Sequence, residues 1–276
     1  MSLPEIHIRD SNFFSSAHPE RACRQFNWIW DKESRDNTLT VFTDNYIVEG
    51  TTNRSKYKIA WILEPPAISG DLYTYIRNNF IYYDAIFTFD EKLLKVSPKF
   101  IYYPYGTTWI GEQDRKIHLK SKMLSTISSD KRFTRGQCLR HEAISTFKES
   151  IDVMGRGYKK IDTKLEGLAD YRYSLTIENS RSNIYFTEKL LDCFMTGTIP
   201  IYWGCPKITD IFDKEGMLIF EDMNDLNNII PKLSEDDYNS RKKSIINNFF
   251  RALTYTDCDS WLWYNGLDKF YNKFLS

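Results

Sequence analysis

Residues 173–204, which read YSLTIENSRSNIYFTEKLLDCFMTGTIPIYWG, constrain the fold more than any other part of the chain. The apolar run at 173–177 predicts a buried strand, and apolar residues recur at helical spacing over 187–195. Gly197 is expected to end this helix, and 198–203 predicts a second buried strand. The order strand, loop, helix, strand is typical of a parallel α/β sheet, in which ligands bind at the carboxyl ends of the strands.

The polar residues of this stretch are expected to collect where the first strand ends and the helix begins. A helix N-terminus offers free N–H groups and a positive potential, which suit an anion such as a diphosphate. Asn179 and Tyr185 are placed to hydrogen-bond a phosphate or a sugar, and Thr187 either caps the helix or contacts a ligand. Glu188 either favours the helix dipole or accepts hydrogen bonds from ribose hydroxyls. The positive charge of Lys189 is unfavourable beside a helix N-terminus unless an anion is bound there. Alternatively, Lys189 is simply an exposed lysine.

Short apolar runs alternate with helical patterns along the rest of the chain, which predicts an α/β protein with parallel sheets. We expect strands at residues 5–9, 39–43, 58–63, 85–89, 99–103, 123–128, 150–154, 173–177, 198–202 and 217–220. We expect helices at residues 22–30, 72–80, 91–96, 137–148, 164–171, 187–195 and 226–233, with a helical pattern over 236–274.

The alternation pauses at a polar segment, 111–122, and then restarts. We therefore predict two Rossmann-like domains, residues 1–110 and 111–250, with parallel sheets that face each other across a cleft. Residues 251–276 carry an aromatic stripe at helical spacing, which predicts a helix that packs back on the first domain. The stripe consists of Trp261, Trp263, Tyr264, Phe270 and Phe274.

Composition excludes several classes of protein. Lys plus Arg and Asp plus Glu both number 37, so no dedicated nucleic-acid surface is expected. Five scattered cysteines without CxxC spacing favour free thiols in a reducing compartment. Because the sequence shows neither a signal peptide nor an apolar run of the ~20 residues that span a bilayer, we expect a soluble, cytoplasmic protein. The abundant aromatic residues suit either a core or stacking platforms for sugar rings or bases.

Two further segments place charged groups at strand ends. Several cations at 131–140 follow the strand at 123–128. A guanidinium from Arg135 or Arg140 would bind two diphosphate oxygens. Alternatively, these residues form a run of charges that is exposed to solvent. Glu64 ends a very apolar strand and is followed by two prolines. A carboxylate on such a stiff turn suits a general base that faces a cleft, or else a solvent-exposed loop.

Familiar cofactor and metal motifs are missing from the sequence. It contains no GxGxxG, Walker, HExxH or GxSxG motif, and its four histidines lack metal-ligand spacing. Asp257 and Asp259 form a DxD motif, but this precedes an aromatic helix instead of ending a central strand. We therefore do not assign a metal to it.

The stretch from Ile177 to Gly204 resembles the signature of the α1,3-fucosyltransferase family, glycosyltransferase family 10. Members carry an ENS…Y.TEK pattern that is followed by a Gly/Ala-x-[IV]-P-[IV] strand and a glycine. The residues in register are Glu178, Asn179, Ser180, Tyr185, Thr187, Glu188, Lys189, Pro200 and Gly204. Further similarity lies at Glu64 and Arg140 and in the segments 83–90, 122–128 and 151–155. The resemblance therefore covers roughly residues 57–222.

The resemblance implies a GT-B fold, with an N-terminal acceptor domain and a C-terminal domain that binds GDP-fucose. It also implies transfer of L-fucose to a glycan hydroxyl with inversion at the anomeric carbon. Glu64 would then be the catalytic base, while Arg140 and Lys189 would neutralise the leaving diphosphate, with Arg135 as the alternate arginine. Glu188 would hold the ribose.

The resemblance implies the remaining ligand contacts as well. Asn179 and Tyr185 would touch phosphate or sugar. No cofactor is expected beyond the nucleotide-sugar donor, and a divalent metal is expected at most to stimulate the reaction.

Two alternatives stay open at this point. The same fold would serve another nucleotide sugar or an acceptor other than a glycan. A non-catalytic carbohydrate-binding protein would use the aromatic residues instead, and it would not require Glu64 together with Lys189.

Overall fold

The computed structural model describes residues 3–10, 25–30, 35–104 and 107–275. The chain divides into two compact units, one of Met1–Tyr105 with Asp257–Ser276 and the other of Gly106–Thr256. Each unit has its own sheet, and every strand pair in both sheets is parallel. The predicted class of two parallel-sheet α/β domains is therefore confirmed.

The sheet of the first unit has six strands in the order β2-β1-β3-β4-β5-β6. The strands are β1 Glu5–Arg9, β2 Asn27–Ile29, β3 Leu39–Thr43, β4 Tyr57–Trp61, β5 Ala85–Thr88 and β6 Phe100–Tyr102. Helix α1, Pro66–Asn79, follows β4, and short 3₁₀ helices occupy Asp44–Thr51, Phe80–Tyr82 and Leu93–Lys95. All five residues of β3 are buried, as expected for a strand with neighbours on both sides and helices above it.

The sheet of the second unit has five strands in the order β11-β10-β9-β7-β8. The strands are β7 Lys122–Ile127, β8 Asp152–Met154, β9 Tyr171–Ile177, β10 Ile199–Trp203 and β11 Leu218–Ile219. The chain leaves β7 outward to β8 and returns to β9 on the other side of β7. The loops that follow β7 and β9 therefore flank the point where strand order reverses, which is the usual ligand position in such sheets.

The helices of the second unit cover both faces of this sheet. They are α2 Arg135–Thr146, α3 Glu188–Thr196, α4 Met223–Ile229, α5 Glu235–Ser240 and α6 Lys242–Leu253, with 3₁₀ turns at Glu112–Asp114, Lys164–Gly167, Ile208–Asp210, Lys214–Gly216 and Ile230–Lys232. A capping box in which Thr134 and Gln137 exchange hydrogen bonds starts α2. Gly197 ends α3 with a φ of 72°, in the left-handed region that glycine tolerates, as the sequence predicted.

The unit boundaries lie a few residues from those expected at 110 and 250. Thr108 and Trp109 hydrogen-bond Asp192 of α3, and Ile110 is buried in a core cluster of the second unit. Helix α6 runs on past residue 250, and Ala252 is buried in the same cluster. These contacts assign both segments to the second unit.

The C-terminal segment belongs to the first unit. It consists of α7 Cys258–Leu262, a π-helical turn Trp263–Leu267 and α8 Asp268–Leu275. The Trp261 ring meets Tyr103 edge-on with 5.3 Å between centroids, and Trp263 stacks on Phe26 at 5.6 Å. These rings bury apolar area against the core that contains β3 and β4. Phe274 of the predicted stripe has a side chain outside the described residues.

All ten predicted strands are present, with ends within two residues of those expected. The predicted helix at 22–30 is wrong over 27–29, which form β2, and residues 22–24 lie outside the described part of the chain. Pairing with β1 and contact between the Trp28 and Trp61 rings stabilise the strand. Tertiary contacts therefore override the helical pattern of the local sequence.

Two other helix predictions are too long. The predicted helix at 164–171 is only the 3₁₀ turn Lys164–Gly167, because Tyr171 pairs with Lys122 and starts β9. Within 91–96, only Leu93–Lys95 is helical, again as 3₁₀.

No helix within residues 3–10, 25–30, 35–104 and 107–275 is long and apolar enough to cross a bilayer.

Candidate functional site

Glu178 joins the end of β9 to the start of α3. Its side chain is completely buried, and its two carboxylate oxygens accept hydrogen bonds from the Thr187 N–H at 2.8 Å and the Thr187 hydroxyl at 2.7 Å. Thr187 in turn caps α3, because its hydroxyl oxygen accepts from the Lys189 N–H at 3.3 Å. The predicted capping role of Thr187 is confirmed. The sequence placed Glu178 at the strand end but did not reveal that it holds this junction together.

Lys189 lies in the first turn of α3, where its charge requires a partner. Its ammonium group is 3.4 Å from a Glu188 carboxylate oxygen and 3.6 Å from a Glu178 oxygen. It also donates to the Thr187 hydroxyl at 3.2 Å. These carboxylates offset the unfavourable position of a cation beside a helix N-terminus. The side chain keeps 24 % of its surface exposed, which leaves it accessible to an anion.

A second lysine, Lys164, joins this charge network from a different segment. Its ammonium group is 2.8 Å from an Asp192 oxygen and 3.4 Å from a Glu188 oxygen. The other Asp192 oxygen accepts from the Thr108 hydroxyl and the Trp109 N–H, both at 2.7 Å. Sequence reasoning missed Lys164 and Asp192. Asp192 could have been found from the sequence, because it follows Glu188 by four residues and so lies on the same face of the helix. No sequence pattern marks Lys164.

The lysines stabilise the ionised form of Glu188. Burial raises the pKa of this carboxyl group, but Lys189 and Lys164 outweigh it and hold the pKa at about 2. Burial lowers the pKa of Lys164, whereas Asp192 and Glu188 raise it above its usual range. Carboxylates and lysines therefore alternate along this face of α3. Such an arrangement holds its hydrogen-bonding atoms in place for a polar ligand.

Arg140 reaches the same edge of the sheet from α2. It is 5 % exposed, and its guanidinium donates to the Ile177 carbonyl at the end of β9. Burial lowers the pKa of Arg140, while the charges of Glu178 and Glu188 raise it. The approach of α2 to β9 requires a glycine at 136, because a Cβ atom there would lie 1.8 Å from the Glu178 carbonyl oxygen.

The other predicted ligand-binding residues of this unit lie nearby, on loops or at the start of α2. Arg135 starts α2, and its guanidinium lies 5.6 Å from the ring centre of Trp203 at the end of β10. The Asn179 carbonyl accepts from the Gly136 N–H at 3.3 Å. Tyr185 is 2 % exposed and is among the groups whose charge acts on Arg140. The structure thus gathers Arg140, Glu188 and Lys189 around Glu178, with Asn179 and Tyr185 on the intervening loop and Arg135 beside β10.

Glu64 lies in the first unit, on the turn between β4 and α1. Its N–H donates to Asp44 at 3.1 Å, and its carbonyl oxygen accepts from the Tyr73 hydroxyl at 2.8 Å. Pro65 is the N-cap of α1 and Pro66 its first residue, so the turn is as stiff as the sequence indicated. The Glu64 side chain is partly exposed.

The two aspartates of the DxD motif, Asp257 and Asp259, lie at the start of α7. Asp257 caps α7 by accepting from the Ser260 N–H at 2.9 Å, and Asp259 is 1 % exposed. Within the described residues, no group of three His, Cys, Asp or Glu side chains is arranged to hold a metal ion.

The fold and this edge of the second sheet define a parallel α/β domain with a polar, charged ligand position, and sequence comparison shows which family this domain resembles. Residues 117–250 match the family model described as "Glycosyltransferase family 10 (fucosyltransferase) C-term". This part of the second unit is therefore similar to the C-terminal domain of glycosyltransferase family 10, in agreement with the signature at residues 177–204.

The curated relatives that the chain resembles include several fucosyltransferases. The chain is 34 % identical over 74 residues to the α-(1,3)-fucosyltransferase FucT of Helicobacter pylori, a match that covers 27 % of this chain and 15 % of that protein. It is 30 % identical over 107 residues to human GDP-fucose protein O-fucosyltransferase 3, covering 37 % and 21 %. A putative fucosyltransferase of Acanthamoeba polyphaga mimivirus, R654, is 22 % identical over 264 residues, covering 86 % and 42 %. The matches thus span less than half the length of each relative.

Solved structures support the fold. An α1,3-fucosyltransferase crystal structure superposes with a TM-score of 0.58 at 16 % identity, covering 93 % of each chain. A crystal structure of an α1,3-fucosyltransferase with GDP-fucose superposes with a TM-score of 0.57, also at 16 % identity, covering 93 % of this chain and 94 % of that one. At this identity the likeness establishes the shared GT-B architecture of two parallel-sheet domains.

Proposed function

We propose that the protein is an inverting glycosyltransferase that moves L-fucose from GDP-fucose to an acceptor hydroxyl of a glycan. The observation that carries this proposal is the meeting of Arg140, Glu188 and Lys189 at the carboxyl ends of the second sheet, within a domain similar to that of family 10. Two cations and a helix N-terminus beside the strand-order reversal suit a diphosphate.

In the proposed reaction the acceptor oxygen attacks the anomeric carbon of the donor as the bond to the diphosphate breaks. Glu64 takes the proton of the acceptor hydroxyl. Arg140 and Lys189 balance the charge that develops on the departing diphosphate, a contribution that is often the largest in such transfers. Direct displacement of this kind inverts the anomeric configuration.

Other residues of the second unit contribute to donor binding in this proposal. Glu188, held ionised by its two lysines, accepts hydrogen bonds from the ribose hydroxyls. Asn179 and Tyr185 contact phosphate or sugar, and Arg135 is the alternate arginine for the diphosphate. No cofactor is required, and a divalent metal at most stimulates turnover.

A protein hydroxyl is the second candidate acceptor. The similarity to human GDP-fucose protein O-fucosyltransferase 3 extends over 107 residues, a longer segment than the similarity to the Helicobacter pylori enzyme. We therefore include peptides as well as oligosaccharides among the acceptors to be tested. Another nucleotide sugar as donor, and carbohydrate binding without catalysis, are the further alternatives.

We also propose a cytoplasmic location. Cys138, Cys193, Cys205 and Cys258 are free thiols, which suits a reducing compartment, and Cys23 lies outside the described residues.

The proposal is tested by incubating the protein with saturating GDP-fucose and a panel of oligosaccharide and peptide acceptors. Release of GDP and the anomeric configuration of the product are measured, with and without a metal chelator. Neither transfer nor slow donor hydrolysis on any acceptor would overturn fucosyl transfer. Thermal shifts across a set of nucleotide sugars identify the donor, because a ligand at a hundred times its Kd adds about 2.7 kcal/mol of stability.

The Glu64→Gln variant separates catalysis from binding. We expect turnover to fall by about 10³-fold, while GDP affinity stays the same, because general-base catalysis contributes roughly 10² to 10⁴ to the rate. The matched control is Asp84→Asn, which alters an exposed carboxylate of the same unit that accepts the Lys58 N–H at 2.8 Å. Full activity of Glu64→Gln would show that a group other than Glu64 is the base.

A further inference from the structure

Three carboxylates lie at the carboxyl edge of the first sheet, where its strand order reverses. The chain leaves β1 outward to β2 and continues with β3 on the other side of β1. Asp10 directly follows β1, Asp44 directly follows β3, and Glu64 follows β4 by three residues. Since β1, β3 and β4 are neighbours in that order, these residues share one edge of one sheet.

Asp44 is in direct contact with the turn that carries Glu64. Its Oδ1 atom accepts hydrogen bonds from the Leu63 N–H at 2.8 Å and the Glu64 N–H at 3.1 Å. The Asp44 residue is 2 % exposed, so these bonds form away from water. On the far side, the Tyr73 hydroxyl of α1 donates to the Glu64 carbonyl oxygen at 2.8 Å. The backbone of residue 64 is therefore held from β3 and from α1.

The backbone of Asp44 is unusual. Its φ of 38° is the one positive φ at a residue other than glycine among those that the structure describes. Asp and Asn adopt this left-handed region more readily than most residues do. Strained backbone of this kind persists where surrounding contacts enforce it and is concentrated at functional sites. Here the enforced conformation places the Asp44 carboxyl group under the Glu64 turn.

We propose that Asp44 is a positioning residue for Glu64, in that its carboxyl group holds the base-bearing turn and sets the negative charge beside the base. This inference rests on the proposed role of Glu64 as general base. It adds a residue that follows β3, the neighbour of β4, to the acceptor side of the reaction.

The ionisation of Asp44 gives the arrangement a consequence for pH. The pKa of this carboxyl group is raised to about 7, mainly by burial. The charges of Glu64 and Asp10 also raise the pKa, whereas the hydrogen bonds from the two backbone N–H groups lower it. The phenol of Tyr73 on α1 also lies within electrostatic range of Asp44, and Asp90 acts on the same phenol. Asp44 is thus neutral in mild acid and negative in mild base. Its negative charge strengthens Glu64 as a proton acceptor, so turnover is expected to rise through neutral pH.

The test compares Asp44→Asn with the unaltered protein at pH 5.5 and pH 8. Asn keeps an acceptor oxygen and tolerates the left-handed backbone, but it cannot ionise. We expect similar turnover of the two proteins at pH 5.5, a five- to tenfold deficit of Asp44→Asn at pH 8, and unchanged GDP affinity at both values. Asp44→Ala, which also loses the acceptor oxygen, is expected to lose at least 50-fold in turnover at both pH values.

Asp84→Asn is again the control, and we expect it to behave as the unaltered protein at both pH values. Equal turnover of Asp44→Asn and the unaltered protein at both values, or an equal deficit at both, would overturn the inference. The Asp44→Asn comparison decides even where Asp44→Ala does not fold. An inactive Glu64→Gln beside an unaffected Asp44→Asn would overturn this inference alone. A fully active Glu64→Gln would overturn the role of Glu64 as base and this inference with it, whereas absence of transfer and of donor hydrolysis by the unaltered protein would overturn the proposed function.

Discussion

Each unit places a carboxyl group at the carboxyl edge of its sheet, the buried Asp44 in the first and the partly buried Glu188 in the second. The charges that neighbour these two groups are opposite in sign. Glu188 lies between Lys189 and Lys164, and its pKa is about 2. Asp44 lies near Asp10 and Glu64, and its pKa is about 7. Burial raises the pKa of both groups, but only Glu188 has neighbouring lysines whose charges outweigh this effect.

The comparison shows how one architecture supports two kinds of chemistry. Parallel strands bring polar residues together at their carboxyl ends in both units. In the second unit, alternating acids and lysines keep charges fixed, which suits the binding of a charged donor. In the first unit, burial raises the pKa of Asp44 to about 7, so this carboxyl group exchanges its proton near neutral pH.

The largest expected effect is on the pH dependence of stability at Asp44. Below pH 3.8 this group is protonated in both the folded and the unfolded chain. As pH rises from about 4 to 7, the unfolded chain releases the proton while the folded chain retains it, so the unaltered protein loses stability. Asp44→Asn is therefore expected to be more stable than the unaltered protein at pH 8 by up to about 4 kcal/mol, and equally stable near pH 4.

Urea unfolding followed by tryptophan fluorescence at pH 4, 6 and 8 measures this difference. Asp84→Asn provides the baseline for removal of a carboxylate from the same unit. A difference between Asp44→Asn and the unaltered protein that stays constant with pH would show that Asp44 ionises normally.

Glu188→Gln is expected to act in the opposite direction. The folded-state pKa of about 2 lies below the usual 4.5, so the ionised group stabilises the fold above pH 4.5 and loses this contribution as pH falls toward 2. We expect Glu188→Gln to lower the free energy of unfolding by about 3 kcal/mol at pH 7 and by much less at pH 2.5. Glu215→Gln, at an exposed residue, is the control. Equal losses at both pH values would mean that the lysines do not set the charge of Glu188.

Lys189→Met gives the smallest expected effect in free energy and bears most directly on the donor. Removing this cation leaves Glu178 and Glu188 without their shared partner and withdraws a charge from the proposed diphosphate position. We expect kcat/KM for GDP-fucose to fall by about 10²-fold, equivalent to about 2.7 kcal/mol. The control is Lys214→Met, since Lys214 pairs with the adjacent Glu215 at the surface. Unchanged kinetics of Lys189→Met would contradict the proposed donor site.

Much of the second unit could be predicted because its information is local. Strand β9, the cap at Thr187, helix α3, the glycine at 197 and strand β10 follow one another in 33 consecutive residues, and each has a recognisable sequence pattern. The family signature lies in the same stretch, and it marks Glu188 and Lys189 directly.

Other features could not be predicted because they depend on residues that are far apart in sequence. Strand β2 has a helical pattern but pairs with β1, and Lys164 reaches Glu188 across 24 residues. The contact between Asp44 and the Glu64 turn spans 20 residues, and no local pattern marks it.

The sequence by itself determined the class of fold, ten of the strands, the family resemblance and the residues of the proposed donor site, because hydrophobic periodicity and a contiguous motif encode them. Only the tertiary structure decided which charges surround each of these residues. Burial and neighbouring groups from other strands and helices set the protonation of a carboxyl group, and those neighbours come together only when the sheets form. Asp44 and Glu188 are the same chemical group in this chain, and the fold makes one a proton-exchanging group and the other a permanent anion.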